Sequence, residues 1–141
     1  MANKVGLKKV VEKMNLKNLT PDVDLTEKKV EVPDINRPAL QLTGFFEHFD
    51  SERVQIIGYV EYTFLETMDE KTKEETYETL LSYQIPCIIF CRNLPPEPML
   101  LEKATRANIP VFITEKQTSE FTAEIIRWLN VALAPCISIH G

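Results

Sequence analysis

Two groups of polar residues in this 141-residue chain could bind a ligand together. Arg92 and Asn93 follow the apolar run Ile85-Pro86-Cys87-Ile88-Ile89-Phe90, and Thr114 closes a second run, Ile109-Pro110-Val111-Phe112-Ile113-Thr114, with Lys116, Thr118 and Ser119 just beyond it. If both runs are parallel strands, these side chains share the carboxyl edge of one sheet, where open α/β folds hold ligands beside helix N-termini. Arg92 would fork onto a carboxylate or phosphate there, and the start of the next helix would add backbone amides. The same residues also suit a plain role as caps and loop groups, and the sequence leaves both readings open.

Other reactive residues are less informative. Cys87 and Cys91 sit four positions apart on one strand, which separates them by roughly 13 Å at about 3.3 Å per residue, too far for a disulfide or a shared metal. They read as small buried hydrophobes. Asp22 and Asp24 begin no calcium-loop pattern and read as turn residues. The four glycines, Gly6, Gly44, Gly58 and Gly141, fit neither the Walker phosphate loop nor the dinucleotide fingerprint, so ATP chemistry by either route is excluded within these residues. His140 stands next to the last residue, and no partner that would orient it as a general base is identifiable. Ile137-Ser138-Ile139 before it reads as the start of a strand, which implies that the natural protein continues.

Composition narrows the class. A net charge of −5 argues against nucleic acid as the main partner, because phosphate binding needs a concentrated basic surface. No apolar run approaches the length of a membrane span, Met1 to Lys9 lacks the apolar core of a secretion signal, and three cysteines cannot all pair within one chain. A cytoplasmic protein without membrane contact is the expectation.

The elements that must position the candidate groups follow from apolar spacing. The two apolar runs repeat at an interval of 24 residues with a helix-like stretch between them, the form of a β-α-β unit, and Arg53 to Gly58 reads as a third buried strand. Leu7, Val10, Val11 and Met14 mark a first helix whose Lys8, Lys9, Lys13 and Lys17 form a wet face. Asn15 to Glu31 is polar and turn-rich, and Val30 to Val32 offers an edge strand. Asn36 caps a short helix with Pro38 in its first turn and Gly44 as its stop. Tyr59 to Phe64 is strand or extended loop, and Asp69 to Leu81 is a helix with an acidic outer face. Pro95, Pro96 and Pro98 crowd the start of the crossover helix, and Phe121, Ile125, Trp128, Leu129 and Ala132 trace a final helix capped by Thr118 or Ser119 and ended by Pro135. The expected fold is α/β, a three-layer domain over residues 1–135 with a small, mostly parallel sheet flanked by helices. Residues 136–141 would begin a linker or first strand toward another domain.

Several segments in order resemble the N-terminal domain of bacterial HPr kinase/phosphorylase. They are Pro33-Asp34-Ile35-Asn36-Arg37-Pro38-Ala39-Leu40, Thr43-Gly44-Phe45-Phe46, Glu52-Arg53-Val54-Gln55-Ile56-Ile57-Gly58, Pro86-Cys87-Ile88-Ile89 and Ser138-Ile139-His140-Gly141. The resemblance implies an accessory α/β domain, similar in fold to the substrate-binding domain of the Mur ligases, placed before a kinase domain. It implies that the intact enzyme phosphorylates a serine of the phosphocarrier HPr with ATP and Mg2+, reverses this by phosphorolysis, assembles into hexamers and acts in carbon catabolite repression. His140 would match the family's active-site histidine, while the nucleotide loop and the magnesium ligands would lie after Gly141. No cofactor is then expected within this chain. The rival expectation is a free-standing module that senses an anionic metabolite at the Arg92 edge.

Overall fold

A computed structural model describes residues 3–135. In chain order the elements are β1 (Val5–Gly6), α1 (Leu7–Lys13), β2 (Lys17–Asn18), β3 (Lys29–Val30), β4 (Ile35–Asn36), α2 (Ala39–Leu42), β5 (Val54–Ile57), α3 (Tyr59–Glu66), α4 (Glu70–Leu81), β6 (Ile88–Phe90), α5 (Pro98–Arg106), β7 (Val111–Ile113) and α6 (Thr118–Ala132). Five strands form one sheet in the order β2-β7-β6-β5-β4, and β1 pairs with β3 in a separate antiparallel ribbon. Strands β4 to β7 are parallel, with Gln55 opposite Ile88 and Ile88 opposite Val111, while β2 runs antiparallel along β7.

Strand periodicity sorts the core into two layers. Ile56, Cys87, Ile89, Cys91 and Phe112 pack on one side with Leu7 and Val10 of α1 and Phe121, Ile125 and Leu129 of α6. Ile57, Ile88, Phe90, Val111 and Ile113 pack on the other with Leu42, Leu65, Leu80, Leu100 and Ala104 from α2 to α5. Alternate residues on one strand thus feed opposite layers, and a sheet covered on both faces requires strands that are apolar throughout. The expected three-layer α/β domain is present, with helices on both faces of a mostly parallel sheet.

The one polar side chain inside β5 has its hydrogen-bonding capacity met. Gln55 is 0% exposed; its carbonyl accepts from the Asn36 amide at 2.7 Å and its own amide donates to the Arg53 carbonyl at 2.8 Å. That bond corrects the reading of Asn36 as a helix cap. Asn36 lies in β4 and ties that edge strand to β5, and the helix behind it is a single turn that starts only after Pro38. At the opposite edge, β2 adds an unforeseen fifth strand from within the turn-rich segment. The Thr20 hydroxyl beyond β2 accepts from the Val111 amide at 2.9 Å, so the sheet is closed by a side chain where β2 is too short to do so.

Tyr59 to Phe64 also departs from expectation, being helical where strand or extended loop is expected. Its aromatic and β-branched residues favour strand locally. The Glu61 carboxylate reverses that preference by accepting the Gly58 amide at 2.7 Å, which satisfies one of the free donors at the start of α3. Asp69 caps α4 through the Thr72 amide, whereas α6 begins at Thr118 itself without a side-chain cap. The expected edge strand at Val30 is found, but in the ribbon with β1, outside the main sheet.

Candidate functional site

The carboxyl ends of the four parallel strands bring Arg37, Gly58, Cys91 to Asn93 and Thr114 to Lys116 to one edge of the sheet, where α3 and α6 begin. At the β4–β5 end, Arg37 lays a two-pronged fork on Glu61. Nε donates to one carboxylate oxygen at 2.8 Å and Nη2 to the other at 2.9 Å. Glu61 is 3% exposed and Arg37 38%, so the charge held inside is the carboxylate. Its desolvation is compensated by the fork together with the Gly58 amide.

Gly58 sits beneath this pair with no room for a side chain. A Cβ there would fall 2.7 Å from Arg37 Nη2, 2.7 Å from Thr118 Oγ1 and 2.9 Å from Thr118 Cγ2. The Thr118 hydroxyl faces the Cys91 thiol yet is buried without a hydrogen bond of good geometry. Burial pushes the Cys91 thiol up to about 11 and the Cys87 thiol up to about 12, so neither is a poised nucleophile.

The residues expected to form an anion edge are divided by the fold. Arg92 and Asn93 both adopt left-handed backbone, φ 60° and 54°, but their amides donate to the carbonyls of Lys116 and Thr114, each at 2.9 Å. Those amides staple one loop to the next, where a phosphate would need them free. Asn93 and Lys116 line one hollow of about 280 Å3 together with Thr114. The Lys116 ammonium is paired with Glu124 of α6, and Ser119 is exposed on the first turn of that helix. Arg92 points elsewhere, with its guanidinium 5.6 Å from the Tyr59 ring centroid, and among the described residues it has no carboxylate partner. His140 lies outside the described residues, as do 136–141 as a whole. Among the described residues no group of three or more His, Cys, Asp or Glu side chains is placed to hold a metal ion, and no helix is long and apolar enough to cross a membrane.

Two charged clusters gave no sequence signal. Arg37 and Glu61 are 24 residues apart, and so are Lys73 and Glu97. In the second cluster, between α4 and the loop into α5, the Lys73 ammonium donates to Glu97 at 3.1 Å and the Tyr77 hydroxyl donates to the same carboxylate at 2.9 Å. Both pairs join separate elements across intervening structure, beyond the reach of local spacing. The acidic outer face expected of α4 is partly engaged as well, with Glu78 bonded to Lys103 of α5.

A family model described as HPr Serine kinase N terminus matches residues 5–129. The chain is 52% identical over 137 residues to an HPr kinase/phosphorylase of Lachnoclostridium phytofermentans, covering 97% of this chain and 44% of that protein. It is 36% identical to one of Alkaliphilus metalliredigens, with the same two coverages, and 38% identical to one of Caldicellulosiruptor bescii, covering 94% and 43%. The chain thus spans less than half the length of these curated relatives. Among solved structures, the CBS and DRTGG domains of the regulatory region of Clostridium perfringens pyrophosphatase align with a TM-score of 0.60 at 16% identity, over 90% of this chain and 48% of that one. That likeness is one of fold. With a match that runs through both edges of the sheet and almost the whole of α6, the chain belongs to the HPr Serine kinase N terminus family.

Proposed function

We propose that this chain is the N-terminal accessory unit of a bifunctional HPr kinase/phosphorylase and does not transfer phosphate by itself. The observation that carries the reading is the coverage: relatives named for the whole activity match 97% of this chain with only 44% of their own length. The four glycines fit no phosphate loop, and both described cysteines have raised thiol pKa values. In this reading ATP and Mg2+ are handled by the portion of the relatives that the chain does not span. The partner is the phosphocarrier HPr, whose serine is phosphorylated and then released by phosphorolysis in carbon catabolite repression. The setting is the cytoplasm, with the intact enzyme a homo-oligomer.

The accessory unit's own task is regulation or assembly. Its sheet edge is tied internally by the Arg37–Glu61 fork and the stapled loops, which suits a rigid part better than a catalytic crevice. Incubating the 141-residue chain with ATP, Mg2+ and HPr should give no phosphoserine, while the product of the uninterrupted reading frame should give it. Transfer by the chain alone would overturn the assignment, and so would a stop codon directly after Gly141 in the gene.

A further inference from the structure

Between α3, α4 and the proline-rich loop into α5 lies a cleft of about 320 Å3, at the small end of the range for small-molecule sites. Its walls are rings: Tyr62 meets Phe90 edge to face at a centroid distance of 6.3 Å, with Tyr77 and Pro96 beside them. Every strong donor on these walls is already used. The Tyr62 hydroxyl donates to the Pro95 carbonyl at 2.7 Å, the Tyr77 hydroxyl to Glu97, and the Lys73 ammonium, 7% exposed, to the same Glu97.

What remains is acceptor capacity and negative charge. Two carboxylates, Glu66 and Glu97, stand against one ammonium in the lining, and among the described residues Glu66 has no ion pair or hydrogen bond. Burial first, then the charges of Glu66 and Glu97, push the Tyr62 phenol up, which agrees with a negative potential inside the cleft. Aromatic faces beside an unpartnered carboxylate attract a cation and repel an anion.

We infer that the Tyr62–Glu66–Glu97 cleft binds a small organic cation, a primary ammonium on a compact apolar or aromatic body. Its ammonium would meet Glu66 at the mouth while the body lies between the Tyr62 ring and Pro96. This site is separate from the Arg92 edge, and the inference does not depend on the family assignment.

The test is a protein-observed NMR titration of the 141-residue chain with 2-phenylethylammonium, with phenylacetate as the anion of matched shape. The cation should give saturable shifts at millimolar concentration in the amides of Leu65, Glu66 and Glu97, and phenylacetate should give none there. Because Glu66 is exposed and its carboxylate has no partner among the described residues, Glu66→Gln should keep the melting temperature, yet weaken the cation about tenfold through loss of a charge-assisted hydrogen bond. Phenylacetate binding as well as the cation, shifts confined to other residues, unchanged affinity in Glu66→Gln, or no saturable binding of the cation would each overturn the inference.

Discussion

Replacing Gly58 with alanine probes the tightest point of the fold. The backbone there is extended, φ −104° and ψ −167°, so alanine incurs no conformational strain and the cost is one of space. Contacts of 2.7, 2.7 and 2.9 Å must open toward ordinary separations of about 3.5 Å or more. Arg37 cannot swing aside without leaving Glu61, which is buried with only the Gly58 amide to replace the fork. Thr118 is a short branched side chain in the first turn of α6 and cannot yield without moving that turn. Overpacking costs about 1–3 kcal/mol. Partial loss of the Arg37–Glu61 pair adds about 1–2 kcal/mol, below the full value for a buried pair because Arg37 is 38% exposed. The lower chain entropy of alanine in the unfolded state returns less than about 1 kcal/mol. The net loss is about 2–4 kcal/mol, or a melting temperature lower by roughly 8–15 °C at this size. Denaturant unfolding should show a lower midpoint with an unchanged slope. Adding Thr118→Ala removes two of the three close contacts and should recover at least about 1 kcal/mol relative to additivity. Strict additivity, or a melting temperature within about a degree of the parent, would refute the packing argument.

Tyr77→Phe should cost about 1 kcal/mol near neutral pH by removing the hydroxyl bond to Glu97. Burial, then the bond to Glu97, raises the Tyr77 pKa above its ordinary 10.0; burial opposes the charge on Lys73, but the bond and charge of Glu97 outweigh it and raise that pKa above 10.5. Both groups therefore hold protons more tightly when folded, so their stabilisation is full below about pH 10 and declines as the pH rises through the raised values. The gap between parent and Tyr77→Phe should narrow by about 1 kcal/mol between about pH 8 and about pH 11 in denaturant titrations, and a constant or wider gap counts against the coupling. In a Cys136→Ser background, which leaves Cys87 and Cys91, thiol reagent should label neither in the native protein and both after unfolding. Native labelling at the rate of a free thiol would contradict the burial of Cys87 and Cys91.

The buried strands were legible because runs such as Ile88 to Phe90 and Val111 to Ile113 have no polar face to confuse the period. The two-residue strands were not, since Lys17–Asn18 and Ile35–Asn36 join the sheet through neighbours distant in sequence and carry no pattern of their own. Helix α3 departs from its local pattern for a related reason. Tyr59-Val60-Glu61-Tyr62-Thr63-Phe64 favours strand residue by residue, and the opposing influence is one carboxylate whose other partner, Arg37, lies on a different element. At the candidate site the sequence placed Arg92, Asn93 and Lys116 on the correct edge of the sheet. It could not show that the amides of Arg92 and Asn93 and the charge of Lys116 have partners within the domain, because those partners, the carbonyls of Lys116 and Thr114 and the carboxylate of Glu124, are ordinary residues in type and spacing.

That distribution of partners bears on how the domain can communicate. The carboxyl edge is held by three ties: the Arg37–Glu61 fork between β4 and α3, the paired amides between the loops after β6 and β7, and Lys116 with Glu124. A ligand that used the Arg37 or Lys116 side chains or the Arg92 and Asn93 amides would have to break a tie before making its own bonds, which lowers its net affinity by the cost of that bond. The cleft beside Tyr62 imposes no such cost, because the carboxylate at its mouth, Glu66, has no bond to lose among the described residues. The same α3 that carries Tyr62 and Glu66 begins at Gly58 and holds Glu61. A cation seated on Glu66 and a change at the Arg37 fork therefore act on one eight-residue helix, so occupancy of the cleft should alter the response of the Gly58–Arg37–Thr118 contact. If Gly58→Ala displaces α3, it should also weaken 2-phenylethylammonium, whereas a cation affinity untouched by that substitution would show that α3 does not couple the two ends.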